Sequence, residues 1–216
     1  MRATIFWDVD TQHDFIMPDG RLYIKGAETI LPMLSALTGF AREKGVPLLG
    51  SVDYHTVKDT EISDSPDFRE TFPPHCLVGT AGQEKVEATR PKDPLFIDSL
   101  PEDKEALKQK VRQHLDRGGE VLFRKQRFDV FSNPNVDTVL DAVRPHRVLV
   151  YGVALDVCDR YAIDGLIERR RFRVALVEDA ARPIHADEGQ RLLERWAAAG
   201  VSILKTEQVI AGALGI

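Results

Sequence analysis

The sequence predicts an α/β fold built on a parallel sheet, and three observations carry that prediction. Short apolar runs bounded by turn residues recur along the 216 residues, and amphipathic segments of helical length separate them. Residues with chemistry collect just past the ends of the apolar runs. Strands and helices alternating in this way imply βαβ units, with a sheet covered on both faces. In such sheets ligands bind outside the carboxyl ends of the strands, where Asp10, Asp53, Lys125 and the Cys158 turn fall.

Residues 3–9 (Ala-Thr-Ile-Phe-Trp-Asp-Val) read as the first strand. Residues 27–44 read as a helix with Ile30, Leu34, Leu37 and Ala41 on one face. Residues 47–53 are the next strand. The stretch 54–100 is rich in Asp, Pro, Thr and Gly and has little helical period, so it is expected to be a loop-rich excursion with a function. Helix 102–117 carries Leu107, Val111 and Leu115 and stops at Gly118-Gly119. Strand 120–124, helix 134–143, strand 147–153, helix 159–170, strand 172–178, helix 186–199 and strand 201–204 follow.

Length suits a single domain over 1–216. A composition of 43% hydrophobic and 29% charged residues is that of a soluble globular chain, and a net charge of −5 argues against a nucleic-acid partner. No apolar run approaches a membrane span, and the first residues read as a strand rather than a signal peptide. Two cysteines, Cys76 and Cys158, are too few for a disulfide framework. A reduced, cytoplasmic setting is therefore expected, with a thiol free for chemistry.

Cys158 stands between the run Val148–Gly152 and the helical pattern of Tyr161, Ile163, Leu166 and Ile167. The first turn of a helix offers unpaired N–H groups and a partial positive charge, which favour a thiolate. A buried Cys packing the strand–helix corner satisfies the same placement. Asp10 closes the first strand and can act as a base if burial lifts its pKa. Lys125 leaves strand 120–124, where its charge can hold a thiolate or carboxylate. Asp53-Tyr54-His55, with His75 in Phe72-Pro73-Pro74-His75-Cys76, offers three metal ligands with an open position, although solvated loop histidines fit the pattern too. Glu61, Asp64, Asp67 and Glu70 lie between them, and spacing does not choose among these for a further oxygen.

Taken in order, four segments resemble the isochorismatase-like cysteine hydrolases and, within them, the nicotinamidases. They are Asp10-Thr11-Gln12-His13-Asp14-Phe15; Asp53-Tyr54-His55 with Phe72–Gly82; Lys125 with Phe131 six residues on; and Gly152–Cys158. The resemblance covers about residues 1–185. It implies a three-layer sandwich with a six-stranded parallel sheet and a catalytic triad of Asp10, Lys125 and Cys158. It also implies an oxyanion hole from the N–H groups of Ala154 and Cys158, behind a cis peptide. Asp53, His55 and His75 would hold a divalent metal, zinc first but iron or manganese also suited, that grips the substrate's ring nitrogen. Phe15 and Phe72 would sandwich the ring. The implied activity is conversion of nicotinamide and water to nicotinate and ammonia in NAD salvage, by a homo-oligomer acting on a small-molecule amide. The rivals are another amidase of this superfamily, acting on a ureido or carbamoyl amide, and a catalytically silent homologue. Two positions depart from the pattern: Leu155 replaces a common Thr, which implies a changed pocket wall, and His13 replaces a frequent Asn.

Overall fold

A computed structural model describes residues 4–215. The first strand, β1 (Thr4–Val9), is buried along its whole length, as the centre of a parallel sheet requires. Its Ile5, Trp7 and Val9 enter one core and its Phe6 the other. The other strands are β2 (Leu48–Asp53), β3 (Pro94–Ile97), β4 (Glu120–Lys125), β5 (Arg147–Val153), β6 (Arg173–Arg182) and β7 (Ser202–Leu204). All neighbours pair in parallel in the order β3-β4-β2-β1-β5-β6-β7.

Helices cover both faces, completing three layers. On one face lie α3 (Lys104–Asp116), α4 (Val136–Val143), α5 (Cys158–Glu168) and α6 (Ala186–Ala198), which bury Leu107, Val139, Ile163 and Trp196 among others. On the other, α2 (Leu31–Glu43) buries Leu34, Leu37, Phe40 and Ala41, joined by Val209 of the short α7 (Thr206–Ile210). Fully burying one such aliphatic or aromatic side chain is worth about 1.5–3 kcal/mol, which is why the apolar stripes decide where each helix lies. Local signals set the helix ends: Asp103 caps α3 by accepting the Ala106 N–H at 2.9 Å, and Gly118 follows that helix with φ of 85°.

The sheet has seven strands, not six. The additional strand, β3, lies within the stretch expected to be loop, so the excursion ends near residue 93 rather than 100. It is a four-residue edge strand that opens with Pro94 and is only half-buried over its first three residues. A proline is tolerated there because one edge of the strand needs no ladder N–H, and four residues are too few for a legible alternation. A short α1 (His13–Ile16) and α7 were likewise not expected.

Close approach of backbones matters most at Gly152, whose φ is 136°. A Cβ there would lie 2.1 Å from the carbonyl oxygen of Val9. Only glycine lets β5 pass β1 this tightly, and that contact brings the turn after β5 beside the exit of β1.

Candidate active site

Four central strands, β4-β2-β1-β5, point their carboxyl ends at one place. Register pairs Asp53 at the end of β2 with Lys125 at the end of β4. Asp10 follows β1 with φ of 46°, a left-handed conformation costly for a residue with a Cβ but most accessible to Asp and Asn. It is held by its own N–H on Ser51 O (3.2 Å) and by Ser51 Oγ donating to its Oδ1 (2.7 Å). Gln12, fully buried, ties the same exit to β2. Its Oε1 accepts the Asp53 N–H at 2.7 Å, and its Nε2 donates to the carbonyls of Asp53 and Gln83, both at 2.8 Å. This role was legible only as a motif position, because its partners are distant in sequence.

Lys125 is the hub. Its Nζ lies 2.9 Å from Asp10 Oδ2 as an ion pair, donates to Asp53 Oδ1, and donates to Cys158 Sγ at 3.5 Å. Burial alone would lower the Lys125 pKa, but the Asp10 and Asp53 carboxylates reverse this and hold it well above its ordinary value. Asp53 is held well below the usual carboxylate range, Lys125 and His55 outweighing its burial. Cys158 is the first residue of α5, as expected, yet burial pushes its thiol well above the usual range despite Lys125. Desolvation outweighs both Lys125 and the helix end here, so burial favours the thiol over the thiolate. Asp10 Oδ, Asp53 Oδ and Cys158 Sγ lie within 4.8 Å of one another.

The turn between β5 and α5 contains a cis peptide at Val153–Ala154. Its backbone bonds run from the N–H groups of Leu155, Val157 and Asp159; those of Ala154 and Cys158 take no part in them.

Asp53 faces a second group with its other oxygen. Its Oδ2 is 3.6 Å from Nε2 of both His55 and His75, and ligand atoms of the three residues fall within 4.8 Å of one another. Both ring nitrogens of the buried His55 lack a hydrogen-bond partner, while His75 Nδ1 pairs with Pro73 O at 2.7 Å. Two imidazoles and a carboxylate, with a ring nitrogen buried and unpaired, fit a divalent zinc, iron or manganese ion. Of the acidic residues between them, Asp59 brings Oδ2 to 3.5 Å from His55 Nδ1, while the four singled out in the sequence give no atom to the group. Asp64 and Glu70 are exposed, Asp67 accepts the N–H groups of Arg69, Glu70 and Thr71, and Glu61 is buried against Phe128. Burial raises the Glu61 carboxyl to about 6.

Above Cys158 lies a small cavity of about 30 Å³ that opens to solvent. Phe15 and Phe72 both line it, with His75 and Asp53 on one side and Ala154 and Cys158 on another. Leu22, Ile24, Phe128, Val157 and Ile184 complete the wall and were not singled out in the sequence. Phe128 had the clearest signal, lying three residues after Lys125; the others come from segments far apart in the chain. Leu155 is not part of this wall, contrary to expectation; it packs into the core against the sheet.

A fold of this kind with this site defines a class, and the family comparison agrees: residues 4–208 match the isochorismatase domain, and the chain belongs to that family. It is 31% identical over 84 residues to the nicotinamidase/pyrazinamidase of Mycobacterium tuberculosis, a match spanning 39% of this chain and 43% of that relative. Its structure is similar to that of Pyrococcus horikoshii pyrazinamidase in complex with zinc (TM-score 0.68, 26% identity, 94% and 98% of the two chains). It is also similar in fold to N-carbamoylsarcosine amidase from Thermoplasma acidophilum (TM-score 0.69, 21% identity, 95% and 97%).

Proposed function

We propose that the protein is an amidohydrolase that converts nicotinamide and water to nicotinate and ammonia through an acyl-thioester on Cys158. The observation that carries this reading is Lys125, set between Asp10, Asp53 and the Cys158 thiol beneath an aromatic-walled cavity that also receives His75.

In this mechanism Asp10 takes the thiol proton as Sγ attacks the amide carbonyl, and Lys125 stabilises the charges that result. The N–H groups of Ala154 and Cys158 receive the developing oxyanion; one such donor is typically worth about 3–4 kcal/mol of barrier. Asp10 returns the proton to the departing nitrogen, which leaves as ammonia. It then accepts a proton from the water that cleaves the thioester, and gives it back to the released sulfur. Phe15 and Phe72 hold the flat ring by its faces. A divalent ion, when held by Asp53, His55 and His75, supplies a Lewis-acid anchor for the ring nitrogen. On this reading the enzyme is one domain over 1–216, works in the cytoplasm in NAD salvage, and assembles as a homo-oligomer. Among the described residues no helix is long and apolar enough to cross a membrane.

The test is an ammonia-release assay on nicotinamide beside carbamoyl, ureido and aliphatic amides, with and without prior chelation. Nicotinamide should be turned over fastest and chelation should raise its KM. Faster turnover of a carbamoyl substrate, unaffected by chelation, would move the protein to the other amidase reading.

A further inference from the structure

Glu61 sits in sequence between His55 and His75 but outside the group of ligand atoms that Asp53, His55 and His75 bring together. It is 4% exposed. Its backbone oxygen accepts the Phe72 N–H at 2.8 Å, and Ser63 N–H donates to Phe72 O at 2.9 Å, locking Phe72 to this strand-like segment. Its side chain turns the other way, and Oε1 accepts the Phe128 N–H at 2.8 Å. Phe72 and Phe128 meet edge to face, with centroids 5.6 Å apart and planes at 89°, and both line the cavity over Cys158. Phe128 belongs to no strand or helix. Besides this hydrogen bond it makes ring contacts with Phe72 and with Tyr161, stacked at 6.2 Å. One residue thus holds two aromatic walls from different parts of the chain, one by its main chain and one by its side chain.

We propose that Glu61 is a positioning residue that sets Phe128 against Phe72, and so fixes an aromatic slot that selects flat ring amides over aliphatic ones. The inference rests on the amidohydrolase reading and assigns ring selectivity to a residue outside the group of ligand atoms, though close enough for its charge to act on His55. A charge-assisted hydrogen bond to a main-chain N–H is directional, and its loss releases Phe128 while the direct contacts of Lys125 with Cys158 and Asp10 stay in place.

The experiment compares wild type, Glu61→Ala and Glu61→Gln on nicotinamide and on the best aliphatic amide of the panel, with metal content measured for each. Glu61→Ala should raise the nicotinamide KM about tenfold with kcat within about twofold, the loss of one hydrogen bond to a charged group. Turnover of the aliphatic amide and metal content should not change. Glu61→Gln keeps the acceptor oxygen and should restore KM to within about twofold of wild type. Should Glu61→Ala fail to fold, Glu61→Leu keeps the volume without the acceptor and carries the same expectation. An unchanged nicotinamide KM, an equal loss on both amides, a fall in metal content, or no rescue by Gln overturns the proposal. Equilibrium dialysis of nicotinamide in a Cys158→Ala background separates the two readings. If wild type turns over no amide, the amidohydrolase reading fails. Weaker binding on adding Glu61→Ala still supports the slot, and equal binding rejects it.

Discussion

Among the described residues, Asp8 and Asp10 near the end of β1 each face a buried lysine, and of these two lysines Lys125 alone reaches a thiol that borders a cavity. Asp8 and Asp10 are two residues apart at the end of β1. Lys85 Nζ lies 3.0 Å from Asp8 Oδ2, and Thr11, itself bonded to Thr89, donates to the other Asp8 oxygen at 2.8 Å. This pair is buried close to Tyr151 and Thr38 and ties the excursion to the exit of β1. Lys125 has two carboxylates and Cys158 within reach, at the open end of the sheet. Burial wins at Asp8, whose pKa is raised in spite of Lys85, whereas Lys125 is held well above its ordinary value by its carboxylates. The same two residue types therefore build a structural clasp in one place and, on the proposed mechanism, a proton-transfer site in the other. The number of partners and the neighbouring cavity make the difference, not the pair itself.

The largest effect should come from the atom that distinguishes the two sites. Cys158→Ala is expected to lower ammonia release by at least about 10³-fold while nicotinamide binding, measured by dialysis, stays within about threefold. Turnover retained in this variant would remove the proposed mechanism.

A matched pair of substitutions tests the comparison directly. Lys125→Met should reduce kcat by about 100-fold or more at a temperature where the variant is folded. Lys85→Met should instead cost about 3–5 kcal/mol in urea unfolding, since it leaves Asp8 buried without its cation, with kcat changed only a few-fold. Equal loss of kcat in both would show that the contrast between the pairs is not functional.

The smallest effect concerns a third buried acid, Asp159, that forms no ion pair among the described residues and feels Lys125 only weakly. Both oxygens of Asp159 are buried without a hydrogen-bond partner, and burial, reinforced by Asp10, Asp8 and Asp156, raises its pKa well above 3.8. A carboxyl raised in the folded state keeps its proton after the unfolded chain has lost its own. Its contribution to stability therefore falls as pH rises from about 3.8 to the folded pKa. Asp159→Asn has no such proton, so the variant should match wild type near pH 4 and become the more stable of the two toward pH 8. Unfolding midpoints across that range check this; a constant difference would mean that Asp159 is ionised and partnered.

Much of this arrangement could be read before any coordinates. Asp10, Asp53, Lys125 and Cys158 each follow an apolar run, and a parallel sheet places such residues at one edge whatever the loops do. The loops are where reading stopped. Glu61 looked like one of four interchangeable acids in a polar stretch, and its partner Phe128 is 67 residues away. Leu155 was expected to change the pocket wall because it stands where the resembled family commonly has Thr, but the turn directs it into the core. β3 was hidden because four residues opening with proline carry too little period to be told from a loop.

Sequence alone determined the layered parallel fold and the identity of the groups at the strand ends, because periodicity and strand termini are local properties of the chain. Tertiary structure alone decided the rest. It set Asp53 between Lys125 and the two histidines, buried the Cys158 thiol beside Lys125, kept Lys85 away from the cavity, and joined Glu61 to Phe128. Burial and the count of charges within a few ångströms govern pKa and pairing, and both depend on residues that meet only when the chain is folded.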